Sequence, residues 1–265
     1  AHQVTKHLTE IAQAQGDKEL VAEANMASGL SKFFIGDFLS SHTYFTKTLE
    51  IYSTEIHGHH AVTFGQDPKM IALAHLGWIK FILGTPGAPE TSAQAISHAR
   101  ALRHPFTLTY ALTYDGATQL YSGNIKASIS SLEEAIVLSD KHRIRGVEIL
   151  ARVFQSMVDV FVNPSAETIS AAERLIENYK NSSASMFLTC WNTELGLSYL
   201  NLGDMGKAQD RLQLARQQMQ EYGERWYEFP LLNAEAILAL RQNNPEAAAE
   251  CRQLALMLLE QSECR

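Results

Sequence analysis

The stretch from Leu195 to Ala215, LGLSYLNLGDMGKAQDRLQLA, decides how the rest of the chain is read. Leu195, Gly196 and Tyr199 share one helical face, Gly203-Asp204 makes a turn, and Ala208, Leu212 and Ala215 line a second helix. A lone helical hairpin of this size cannot bury its apolar stripe, so further copies are expected.

The copies are there. Equivalent turn positions fall at Gly36, Gly84, Gly123, Asn163, Gly203 and Asn243, at intervals of 48, 39, 40, 40 and 40 residues. Seven residues before each stands a small residue: Gly29, Gly77, Gly116, Ser156, Gly196 and Ala236. A small side chain there lets a partner helix approach closely. First helices are expected near 20–35, 69–83, 106–122, 144–162, 186–202 and 226–242. Second helices are expected near 38–55, 89–102, 125–141, 165–179, 205–222 and 245–262. Pro89, Pro164 and Pro245 should each open a second helix, where a missing amide proton costs nothing. His2–Gln15 reads as a leading helix, the second half of a truncated unit. The units run about 17–56, 63–103, 104–142, 143–181, 182–222 and 223–264, within one repeat domain spanning 1–265. The fourth departs most from the pattern, with Asn163-Pro164 at its turn and Thr168 where an alanine stands elsewhere. No alternating β-branched run suggests a sheet.

Leu195-Gly196, Tyr199, Gly203-Asp204, Ala208 and Ala215 resemble the tetratricopeptide repeat residue by residue. That resemblance implies an all-α, right-handed α-α superhelix, a solenoid of about six helix pairs plus a leading helix. It also implies that the first helices line a concave binding face. A second resemblance rests on Phe64-Gly65-Gln66-Asp67-Pro68, Arg103-His104-Pro105-Phe106 and Gly223-Glu224-Arg225-Trp226. In this order they are similar to the C-terminal repeat region of large bacterial signalling ATPases. Members of that family join a cyclase, kinase or DNA-binding domain to a nucleotide-binding switch and then to helical repeats. The likeness covers the chain from about Thr63 onward. It implies a fragment of a longer regulator that binds a protein partner or a neighbouring domain of the same polypeptide.

Composition narrows the function classes. A net charge of −7 over 265 residues, with no Lys/Arg stripe, argues against nucleic acid as a partner. No apolar run reaches the roughly 18–20 residues of a membrane span, so no membrane partner is expected either. Three cysteines (Cys190, Cys251 and Cys264) without CxxC spacing read as reduced thiols and point to the cytoplasm. There is no GxxxxGK[ST], GxSxG or HExxH, and the run from Gly203 to Lys207 lacks phosphate-loop spacing. An enzyme is therefore not expected, nor a cofactor. His57, His59 and His60, in IHGHHAVTFGQDP, read as solvent-exposed connector residues that would take zinc or nickel only adventitiously.

Candidate binding residues follow from the repeat register. Concave-face positions give Phe34, Trp78, Phe81, Tyr110, Tyr121, Met157 and Phe161, an unusually apolar set for a solvated groove. His75 and Tyr114 join them if the face is instead an enclosed pocket for a small effector. A third reading, in which these side chains pack on one another as core, stays open at this level.

Overall fold

The computed structural model describes residues 2–182 and 184–261, so the end of the sixth unit, including Cys264, lies outside the described residues. Among the described residues there are fifteen helices and no strand. They run α1 (His2–Gln15), α2 (Lys18–Phe34), α3 (Phe38–Ile51), α4 (Thr54–His57), α5 (His60–Thr63), α6 (Pro68–Ile82), α7 (Ala88–Leu102) and α8 (Pro105–Tyr121). There follow α9 (Ile125–His142), α10 (Arg145–Val162), α11 (Ala166–Asn181), α12 (Leu188–Asn201), α13 (Met205–Tyr222), α14 (Glu228–Arg241) and α15 (Pro245–Gln261). The fold is all-α, of the tetratricopeptide-like solenoid class, built from consecutive helix pairs. No described helix is long and apolar enough to cross a membrane.

The chain divides into two compact units: Ala1–Phe33 with Asp37–Gln155, and Phe34–Gly36 with Ser156–Arg265. In the first, α6 packs on α3, α7 and α8, and α8 on α7 and α9. In the second, α12 packs on α11, α13 and α14, and α14 on α13 and α15.

The small residue of the first helix works as its spacing suggests. A Cβ added to Gly116 would stand 2.5 Å from Leu132 Cγ, and one on Gly196 would stand 2.6 Å from Leu212 Cδ2. At Gly29 the ring of Phe45 lies 2.7 Å away. In all three the obstructing side chain comes sixteen residues later, on the second helix of the same unit. Glycine ordinarily weakens a helix interior by about 1 kcal/mol relative to alanine, so interhelical contact decides the residue here. The Ser41 hydroxyl donates to the Gly29 carbonyl at 2.8 Å, and Ser128 to that of Gly116 at 2.7 Å. Ala208 holds the same place in the fifth unit. Replacing Gly196 with leucine should therefore overpack this contact and cost roughly 1–3 kcal/mol or more. Exposed Gln213→Leu should be nearly neutral. Equal melting temperatures for the two variants would show that the register is wrong.

The three loop motifs are helix punctuation. Asp67 is a buried N-cap whose carboxylate accepts from the Met70 amide at 2.7 Å, with Pro68 opening α6 behind it. The same carboxylate accepts from the Tyr52 hydroxyl at 2.8 Å and meets His98 Nε2 at 2.9 Å. Arg103 ends α7 in the left-handed conformation and Pro105 opens α8. Gly223, at φ 68°, ends α13. The buried Glu224 that follows accepts from the Trp226 indole N–H and from the Phe187 amide, both at 2.7 Å. Phe187 sits at φ 69°, a strained conformation for an aromatic residue, and the Glu224 bond helps to hold it.

Two sequence expectations change. Pro164 does not open α11: Ser165 caps that helix and exchanges hydrogen bonds with Thr168 in a capping box. Thr168 departs from the alanine pattern because its hydroxyl reaches back to the Ser165 amide. The connector after α3 is not a solvent-exposed loop either. It folds into α4 and α5, which bury His57 and His60 completely and leave His59 exposed. His57 stacks on Tyr52 with centroids 5.3 Å apart, and His60 lies 4.9 Å from Phe64. Aromatic neighbours draw the imidazoles inward.

Candidate functional site

The candidate residues of the first unit gather around α6 and α8. His75 lies in the core between Phe33 (5.3 Å), Phe45 (5.4 Å, stacked) and Tyr114 (4.8 Å). Its Nδ1–H donates to the Ile71 carbonyl at 2.9 Å, while Nε2 is buried without a hydrogen bond. Burial pushes the imidazole down to about 4, so the ring is neutral. One helical turn on, Trp78 donates its indole N–H to the Tyr114 carbonyl at 3.2 Å. Its ring meets Phe33, Tyr121 and Phe154 at 6.2, 6.0 and 6.5 Å, the edge-on contacts that aromatic quadrupoles favour. Tyr110 stacks on Tyr114 at 4.4 Å.

Burial sorts these side chains. His75, Trp78 and Tyr114 are core, Tyr110 and Tyr121 are half-buried, and Phe81 is 40% exposed. In the second unit Met157 is core, Phe34 half-buried and Phe161 exposed. Phe34 meets Phe187 at 6.1 Å, and its carbonyl accepts from the Arg225 amide at 2.7 Å. The aromatic positions read from the repeat register therefore divide into an inner layer and an outer edge. Phe81 and Tyr121 form part of that edge, each in the last turn of its helix, on α6 and α8, which pack side by side.

The second unit also carries a cleft of about 290 Å³ between α11, α12 and α13. Two of its charges, Glu173 and Arg211, are committed to each other. Glu173 pairs with Arg211 at 2.8 Å and accepts from the Tyr199 hydroxyl at 2.8 Å. Arg211 donates to Asn192, which donates to Gln218. Such a closed polar network reads as a joint between helices.

One cluster that sequence reasoning left apart is assembled in the first unit. Glu19 from α2 meets His59 and His60 from the connector, with all three ligand atoms within 4.8 Å of one another. The only hint in the sequence was the His-rich run itself. Its carboxylate partner lies forty residues upstream.

Helix pairs joined at glycine turns, close-packing small residues and stacked first helices define a tetratricopeptide-like repeat protein. No family model matches the chain, and no curated protein matches it. Among solved structures it is similar to a Rap protein complexed with competence and sporulation factor. The TM-score is 0.69 at 17% identity, over 98% of this chain and 70% of that one. At this identity the likeness establishes the fold.

Proposed function

We propose that the chain is a non-catalytic binding scaffold of a cytoplasmic bacterial regulator, and that it docks a protein segment on the first-helix face of its first unit. The observation that carries this reading is the outer aromatic edge, with Phe81 40% exposed and Tyr121 half-buried against the Trp78 ring, which in turn meets Tyr114. Aromatic groups held this way supply large contact area at small entropic cost, the usual character of an interface anchor. The Rap structure supports the reading, because that protein of the same fold is held in complex with a factor. The resemblance of the three loop motifs to signalling ATPases favours a neighbouring domain of the same polypeptide as the occupant.

The test is to titrate the chain with that neighbouring domain, expressed separately, by calorimetry. Phe81→Ala and Tyr121→Ala are each expected to weaken binding by about 1–2 kcal/mol or more at unchanged helix content. Val137→Ala, an exposed apolar residue on α9, should leave binding unchanged. Equal affinity for all three variants would remove this face as the site. A second reading, a small effector in an enclosed pocket, is favoured by one observation, the buried His75 Nε2 that makes no hydrogen bond. A metabolite that raises the melting temperature of the wild type but not of His75→Phe would support it, and equal effects on both would count against it.

A further inference from the structure

The connector histidines take part in an arrangement that packing alone does not explain. His60 is fully buried, and its Nδ1 lies 2.6 Å from Glu23 Oε1. With Glu23 ionised and accepting this bond, the proton sits on Nδ1 and Nε2 keeps a lone pair. His60 Nε2 makes no hydrogen bond although it is buried. It lies 3.6 Å from Glu19 Oε2, and His59 Nε2 lies 3.6 Å from the same oxygen. Glu19 and Glu23 stand one turn apart on one face of α2, so one carboxylate faces each nitrogen of the His60 ring. Adjacent residues of a continuous helix point apart. His59, the residue before α5, and His60 nonetheless converge, with ring centroids 4.9 Å apart.

We propose that Glu19, His59 and His60 bind one divalent transition-metal ion of the zinc class, with Glu23 as a positioning residue behind His60. The geometry suits such an ion. Zinc bonds of 2.0–2.1 Å in a tetrahedron set neighbouring ligand atoms roughly 3.4 Å apart, and two edges of this cluster measure 3.6 Å. Two imidazoles and one carboxylate select zinc, nickel or cobalt over calcium and magnesium, which take oxygen ligands. A carboxylate on the far nitrogen of a ligating histidine fixes its tautomer and raises its basicity, which is the relation of Glu23 to His60. Three protein ligands leave a fourth position for water, on the side of the exposed His59. The bound ion would clip the connector from α4 to α5 onto α2 and so stiffen the joint between the first two repeats.

The test uses the full chain without an affinity tag, stripped with chelator and titrated with Co²⁺, whose tetrahedral complexes have strong visible bands. One ion per chain with that spectrum, discharged by Zn²⁺, is expected. Glu19→Gln and His59→Ala, both at solvent-accessible positions, should abolish the spectrum without loss of helix content. Glu23→Gln should weaken the affinity about 10–100-fold, and His142→Ala, exposed on α9, should change nothing. Zn²⁺ should also slow amide exchange across residues 54–63 in the wild type and not in Glu19→Gln. No tetrahedral spectrum, or an unchanged affinity in the Glu19→Gln/His59→Ala double variant, would overturn the proposal.

Discussion

Replacing Trp78 with alanine is expected to destabilise the first unit by about 3–5 kcal/mol, the range for emptying a buried aromatic site. The indole is 3% exposed and packed against Phe33, Tyr114, Tyr121 and Phe154, so its removal opens a cavity between α6 and α8. It also deletes the N–H bond to the Tyr114 carbonyl. Stability in a repeat array is a sum of local and nearest-neighbour terms, so the loss should be local. Hydrogen exchange should show α6 and α8 losing protection before α12 to α15, and the first melting transition should drop by about 10 °C. Phe81→Ala, on the same helix at an exposed position, should cost well under half as much. A Trp78→Ala protein that melts with the wild type would show that the indole is no part of the core, and the outer aromatic edge would lose its support.

The second large effect is a loss of stability in acid that traces to His75. An unfolded histidine titrates near 6.5, whereas burial holds the folded ring at about 4. Between those values the unfolded chain takes up a proton that the folded chain does not. The stabilising contribution is therefore complete above about pH 6.5 and is lost as the pH falls toward 4, by roughly 3 kcal/mol. Glu23 works in the opposite sense over an overlapping window. Burial raises its carboxyl to about 7, so its contribution is present below the ordinary carboxylate range and lost as the pH rises through 7. The informative quantity is thus the difference between wild type and His75→Phe, in which the Glu23 term cancels. The phenyl ring suits the same aromatic surroundings of Phe33, Phe45 and Tyr114. Denaturant unfolding from pH 7.5 to 4 should show the variant gaining on the wild type by roughly 3 kcal/mol. A difference that stays constant with pH would mean that the ring is not held neutral by burial.

The repeat was legible because its signals are local. Turn glycines, close-packing small residues and apolar spacing each concern residues within one or two helical turns, and the helices follow them closely. The pairing of Gly116 with Leu132 and of Gly196 with Leu212 is equally periodic and could be read as a spacing of sixteen. FGQDP and GERW stood out in the sequence, and the structure gives them mechanical work: Asp67 caps α6, and Glu224 pins the turn at Phe187. Where the local signal was weak, the reading slipped. Ser165 and Thr168 cap α11 by a capping box that the mismatch at Asn163-Pro164 concealed.

By itself the sequence determined an all-α chain of paired helices, its register, and which first-helix positions are aromatic. Those features follow from hydrogen bonding and side-chain spacing within a single hairpin. Which aromatic residues are core and which are surface was decided by tertiary structure. A repeat register assigns the same face to Trp78 and Phe81, yet the packing of α8 beside α6 covers the first and spares the second. The same holds for the histidines: a run on a connector reads as exposed until the chain folds back on α2. Only then does a carboxylate forty residues away reach His59 and His60, and only then does Glu23 meet Nδ1 of the second ring.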